Sequence, residues 1–231
     1  MNKSIISQRT KDFITAKSLT DPLPQNLTGT HVTNTRGIPL VVYRGEHGPE
    51  GVSRRGSLSF GSHATANTYA QSPNDFDIDG SVVHTPRVLA AHLSIKNPVI
   101  NRPNDSYMDM SEIEAIVGRK KAERMALDMS DDIVRSDHWN ENFAGYDGPE
   151  DVAGLLRNEP DRLGELPIQV HKVFDSPKYV SWFRKSGYDG AIHGGSGANA
   201  FETEYKIFHP SQAFHPVTGE PLWSKHSLGG I

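Results

Sequence analysis

The sequence predicts an α+β fold. Short β-rich runs lie on either side of a helix-forming middle, and strands and helices do not alternate as regular βαβ units. Neither a Gly-x-Gly-x-x-Gly fingerprint nor a Walker loop is present, so a classical dinucleotide fold and a P-loop fold are both unexpected. The 231 residues suffice for one large domain or two small ones.

In order along the chain, residues 1–36 are rich in Ser, Thr, Asn and Gln. Such a stretch buries little apolar surface to offset its ordering entropy, so a flexible polar tail is expected there. It reads either as a loosely attached segment or as an unfolded, serine-rich secretion signal of the bacterial injection type. Residues 37–231 are expected to form a single domain. Its first strand is Ile38-Pro39-Leu40-Val41-Val42-Tyr43, closed by Arg44-Gly45. A glycine beside an arginine at a strand end lets a ligand approach the backbone; the plainer reading is a surface arginine and a turn. Ser57-Leu58-Ser59-Phe60 follows. Then comes a short helix over 64–70 with Ser62 as N-cap and Ala66 and Tyr69 on one face.

Residues 71–86 read as a polar loop, and 88–95 as a buried strand stopped by Asn97-Pro98. Residues 109–145 are expected to be mostly helical. Ser111 and Glu114 form a capping-box pattern, and Ile113, Val117, Met125, Leu127, Met129 and Ile133 make an imperfect apolar stripe. A second short helix is expected from about Pro149 to Arg157. The run 168–174 alternates like a strand. Ser176-Pro177 then opens a helix whose apolar face is Tyr179, Val180, Trp182 and Phe183, and Gly187 ends it. Residues 188–192 feed another strand. A glycine-rich loop over 193–200 precedes Phe201-Glu202-Thr203-Glu204-Tyr205-Lys206-Ile207-Phe208, whose alternation sends Glu202, Glu204, Lys206 and Phe208 to one face. Residues 209–231 read as irregular.

Composition excludes several functions. The net charge of −4 argues against a general nucleic-acid binder. No apolar run reaches the length of a membrane helix, and no signal-peptide pattern is present. The absence of cysteine removes disulfides, thiolate catalysis and cysteine-ligated metals. The 11 histidines are scattered and read as surface or structural residues, so no metal is expected.

Three pieces line up: Tyr43-Arg44-Gly45 ending a strand, Ser57-Leu58-Ser59 followed by a helix with Ala66 and Tyr69, and Glu202-Thr203-Glu204. In that order they resemble the mono-ADP-ribosyltransferases of the arginine–serine–glutamate class. Residues 187–192 and 204–212 are also similar to ADP-ribosyltransferase domains of bacterial effectors and phage polyvalent proteins. The resemblance spans roughly residues 38–214, to which 100–165 adds little. Leu58 stands where the family usually has threonine, and the interval from Arg44 to Ser57 is short, which leaves Ser59 as an alternative to Ser57.

The resemblance implies an ADP-ribosyltransferase-like split β-sandwich with a helical insertion at about 100–165. It implies transfer of ADP-ribose from NAD to a protein side chain, arginine first, with release of nicotinamide. Glu204 is then the carboxylate that stabilises the ribosyl cation, and Glu202 the residue that orients and activates the acceptor. Arg44 grips the phosphates or adjacent ribose of NAD, and Gly45 offers its backbone to the nicotinamide amide. Ser57 orients Glu204, while Ser59, Phe60 and Tyr69 complete the cofactor contacts. The alternatives are an NAD glycohydrolase and an inactive member of the fold that acts by binding a protein. The expected setting is a soluble, monomeric effector or toxin delivered into a host cell to modify a host protein, or a cytoplasmic modifier delivered by phage. No nucleic acid, membrane span or metal is expected.

Overall fold

The structure, a computed structural model, describes residues 24–47, 56–72, 85–102, 105–146, 148–195 and 202–223. The arrangement is α+β. Strands β1 (Val42–Glu46), β3 (Arg87–Leu93) and β9 (Ala213–Phe214) form an antiparallel sheet in the order β1-β3-β9. Strands β2 (Leu58–Phe60), β8 (Thr203–Ile207), β7 (Gly190–Gly194) and β4 (Pro98–Ile100) form another in the order β2-β8-β7-β4, with β4 and β7 parallel. An antiparallel bridge between Tyr43 and Gly61 joins the two sheets. β5 (Tyr107–Asp109) and β6 (Pro167–Gln169) make a separate ribbon.

Two apolar cores flank the four-stranded sheet. One draws Val42, Ala91 and Leu93 from the first sheet and Leu58, Phe60 and Ile207 from the second, with Trp223 against Phe60. The other lies against the opposite face and is supplied largely by the helical middle. That middle contains α2 (Met110–Val117), α3 (Arg119–Asp128), α4 (Ser130–Ile133), α5 (Asp137–Asn142) and α6 (Pro149–Asn158). Of the expected stripe, Ile113, Val117, Met125, Met129 and Ile133 are buried, whereas Leu127 is exposed. The first helix opens one residue before the expected cap: Asp109 occupies the N-cap, and Ser111 lies inside the helix.

Local signals elsewhere translate directly. α1 (His63–Gln71) is capped by Ser62, whose hydroxyl accepts from the Thr65 amide. α8 (Pro177–Lys185) starts after Ser176 and buries Tyr179, Val180 and Phe183; Gly187 follows at φ 94°. The turn at 187–190 and the segment 209–212 are tied together. Gln212 donates to the Asp189 and Ser94 carbonyls at 2.8 and 2.9 Å, and the Asp189 carboxylate accepts from the Lys96 and Asn97 amides.

Other expectations change as well, the first strand running over Val42–Glu46 and not 38–43. Residues 168–174 were expected as a strand, but β6 ends at Gln169 and α7 (Val170–Asp175) follows. Val170, Val173 and Phe174 recur at helical spacing and all enter the core, so burial on one helical face outweighs the short alternation. The polar segment 24–36, expected to belong to a loose tail, is packed onto the domain. Leu27 and Val32 are buried, and the Thr30 hydroxyl donates to the Leu93 carbonyl at 2.7 Å. The tail over 1–23, the polar loop over 73–84 and the glycine-rich loop over 196–201 lie outside the described residues.

Candidate functional site

β8 has two unlike faces. Tyr205 and Ile207 pack toward the core between the sheets. Glu204 and Lys206 point the other way, and both are buried: Glu204 is 5% exposed and Lys206 1%. What covers them is α7, the element misread as strand. Its Asp175 reaches the Lys206 ammonium at 2.8 Å, and its Phe174 ring stacks on His193, the β7 residue opposite Glu204.

A cleft of ≈ 270 Å³ opens above this floor. Arg44 and Gly45 from β1, Ser59 from β2, Tyr69 from α1, and Glu204 and Lys206 from β8 all line it. Six of the sequence-predicted residues therefore meet in one place: Arg44, Gly45, Ser59, Phe60, Tyr69 and Glu204. Arg44 is held rigidly, its Nε donating to Glu46 Oε1 at 3.2 Å and its Nη1 to the Ser59 carbonyl at 3.3 Å. Arg87 donates to the other Glu46 oxygen at 2.8 Å from its Nε. Two guanidiniums share that one carboxylate, so this end of the cleft keeps a positive balance.

Lys206 is the centre of a second charged cluster, joined to Arg44 through Ser59. Its ammonium donates to Ser59 Oγ at 2.9 Å and Asp175 Oδ1 at 2.8 Å and pairs with Glu204 Oε1 at 3.1 Å. Burial pushes the Glu204 carboxyl up. The Lys206 charge, then His193 and hydrogen bonds from Ser59 and Lys206, outweigh that and hold it below the ordinary glutamate range. His193 Nδ1 donates to the Gly194 carbonyl, and its buried Nε2 has no hydrogen-bond partner among the described residues. Burial lowers the His193 pKa against the raising influence of Glu204, so the ring is neutral over most of the physiological range. His171, also on the cleft, is likewise lowered by burial.

Ser57 is displaced from the role expected of it. It does not line the cleft, and its buried hydroxyl has no hydrogen-bond partner among the described residues. The preceding residue explains this: the Gly56 amide donates to the Asp175 carbonyl at 2.9 Å, drawing the 56–57 segment under the α7–α8 junction. The serine that contacts the Glu204–Lys206 pair is Ser59. Phe60 touches the cleft, but its ring is in the inter-sheet core, 1% exposed and edge-on to Trp223, so it is not placed to stack on a ligand. Tyr69 is 38% exposed at the rim beside His47 and retains an accessible ring.

Glu202 lies outside the cleft lining, at the start of α1. Its Oε1 accepts from Ser62 Oγ at 3.0 Å and its Oε2 from Thr65 Oγ1 at 2.8 Å, and these bonds lower its pKa. Gly45 has a structural reason to be glycine: a Cβ there would lie 2.1 Å from the Ala66 carbonyl oxygen and 2.9 Å from the Ala70 amide. The close approach of α1 to β1 requires it whether or not a ligand is bound.

Sequence reasoning missed Lys206, Asp175, His171 and His193 as site residues. For Lys206 a signal existed, because the alternation puts it on the Glu204 face. No family model, no curated protein and no solved structure matches the chain. Among the described residues, no helix is long and apolar enough to cross a membrane, and no group of three or more His, Cys, Asp or Glu is placed to hold a metal ion.

Proposed function

We propose that the chain is an ADP-ribosyltransferase of the arginine–serine–glutamate kind, cleaving NAD at the nicotinamide–ribose bond and transferring ADP-ribose to a protein side chain, arginine first. The observation that carries this reading is the meeting of Arg44, Ser59 and Glu204 in one cleft from three separate strands. The two sheets joined at Tyr43–Gly61, with the helical middle on one side, agree with the split β-sandwich this family implies.

The chemistry suits the charge layout. The departing nicotinamide is already cationic in NAD, so the bond breaks without a general acid, and positive charge develops on the ribose ring. Glu204, ionised in a buried setting, supplies a fixed negative charge for that ring and an acceptor for a ribose hydroxyl. Arg44, at the positive end, suits the phosphates. The cleft is slightly smaller than the roughly 300–1,000 Å³ usual for ligand pockets and would take the nicotinamide-ribose half of NAD more readily than the whole.

A second reading keeps NAD but ends in hydrolysis. Its support is Glu202, which hydroxyls of Ser62 and Thr65 hold against the start of α1 and which does not line the cleft where an acceptor guanidinium would meet the ribose. A delivered effector acting on a host protein remains the setting proposed for the transferase reading. The test is incubation with labelled NAD and candidate proteins, followed by mass spectrometry. Wild type should release nicotinamide and leave an adduct. Glu204→Gln should lose about 10²-fold or more of that rate, by analogy with removal of a transition-state charge partner. Nicotinamide release without an adduct selects the glycohydrolase, and release that is insensitive to Glu204→Gln refutes both.

A further inference from the structure

We propose that Lys206 is a positioning residue which, shared between Glu204 and Asp175, keeps Glu204 ionised and aimed into the cleft. This rests on the reading of Glu204 as the reactive carboxylate. A carboxylate that is 5% exposed, with no cation beside it, would take up a proton and lose the charge for which the site is built. Lys206 prevents this at 3.1 Å. Its ammonium is fixed from three directions, by Ser59 on β2, Asp175 on α7 and Glu204 on β8, so Glu204 inherits a fixed orientation.

A cation held against Glu204 alone would also cancel the field that a ribosyl cation needs. Asp175 resolves the conflict. It sits closer to the ammonium than Glu204 does, 2.8 against 3.1 Å, and takes a share of its charge. The other titratable groups around the pair are His193 on β7, His171 on α7, Arg44 and Tyr43 on β1, and Tyr69 on α1. Of these, His193 lies opposite Glu204 and adds a positive charge beside it only when protonated, which its burial disfavours.

The two partners predict different defects. Lys206→Met leaves two carboxylates without their shared cation, so protonation of Glu204 becomes easier. Asp175→Asn leaves the ammonium to Glu204 alone, which stays ionised but is more fully neutralised. The experiment combines a pH–rate profile for nicotinamide release from NAD with a ¹³C titration of the glutamate carboxyls, Glu204 being assigned by difference with Glu204→Gln. For Lys206→Met, the acid limb and the Glu204 titration should both move up by about one pH unit or more. For Asp175→Asn, kcat should fall about tenfold with KM for NAD within about threefold and no upward move of the limb. A folded Lys206→Met whose Glu204 titrates as in wild type overturns the proposal. If Lys206→Met does not fold, an Asp175→Asn variant with wild-type kcat overturns it instead. Should wild type release no nicotinamide while the Lys206→Met titration shifts as stated, the electrostatic role stands and the enzymatic reading falls.

Discussion

Gly45 distinguishes a glycine kept for a ligand from one kept for packing. In Gly45→Ala the new Cβ would sit 2.1 Å from the Ala66 carbonyl oxygen and 2.9 Å from the Ala70 amide nitrogen, with the Ala66 carbonyl carbon at 3.1 Å. All three obstacles are backbone, so no rotamer change relieves them. α1 must retreat from β1 by roughly 1 Å to restore ordinary contact distances. Overpacking typically costs about 1–3 kcal/mol, and the upper end applies where helix backbone must move. For a domain of this size, about 3 kcal/mol lowers the thermal midpoint by roughly 6–12 °C. Differential scanning calorimetry without any ligand measures this directly. α1 also carries Thr65, one of the Glu202 partners, and Tyr69 on the rim, so NAD binding should weaken in parallel. An unchanged midpoint together with weakened NAD binding would refute the packing argument and return Gly45 to a purely ligand-facing role.

The two serines should separate cleanly. Ser57→Ala removes a buried hydroxyl without a hydrogen-bond partner among the described residues, and should be neutral or stabilising by about 1 kcal/mol in denaturant titrations, with NAD cleavage intact. Ser59→Ala removes an acceptor of Lys206 and should lower kcat roughly tenfold. Glu202→Ala strips Ser62 and Thr65 of their shared acceptor, so amide hydrogen exchange in the first turn of α1 should accelerate; unchanged protection would show those bonds to be idle. Acid should destabilise the fold in two stages. The lowered His193 pKa gives stability that is complete above the unfolded histidine value and erodes as pH falls below about 6.5. The lowered Glu202 and Glu204 pKa values give stability present above the unfolded glutamate value and lost as pH falls through their lower folded values. Thermal midpoints against pH should show both stages, and His193→Gln should shrink the first without removing it, because burial also lowers His92 and His171; a single carboxylate stage in wild type would contradict the histidine argument.

Local chemistry was legible in the sequence wherever a few neighbouring residues suffice. The Ser62 cap, the Ser176-Pro177 start of α8, the glycine stop at 187 and the two faces of β8 all depend on contacts within one turn or one pleat. The stretch 168–174 fits both a short alternation and a helical stripe, and only the apolar surface waiting to receive Val170, Val173 and Phe174 decided between them. The same limit applies to the serine pair. Ser57 and Ser59 share a face by alternation, and it took the Gly56–Asp175 contact to bury one and leave the other on the cleft.

The sequence by itself determined that Glu204 and Lys206 lie on one side of a strand, because side chains alternate along an extended backbone whatever surrounds them. Tertiary structure decided what that side is. α7 closes over it and brings Asp175 to Lys206 across 31 positions, while β2 brings Ser59 across 147. A buried ion cluster is a property of distances between remote segments, and no spacing along the chain encodes it.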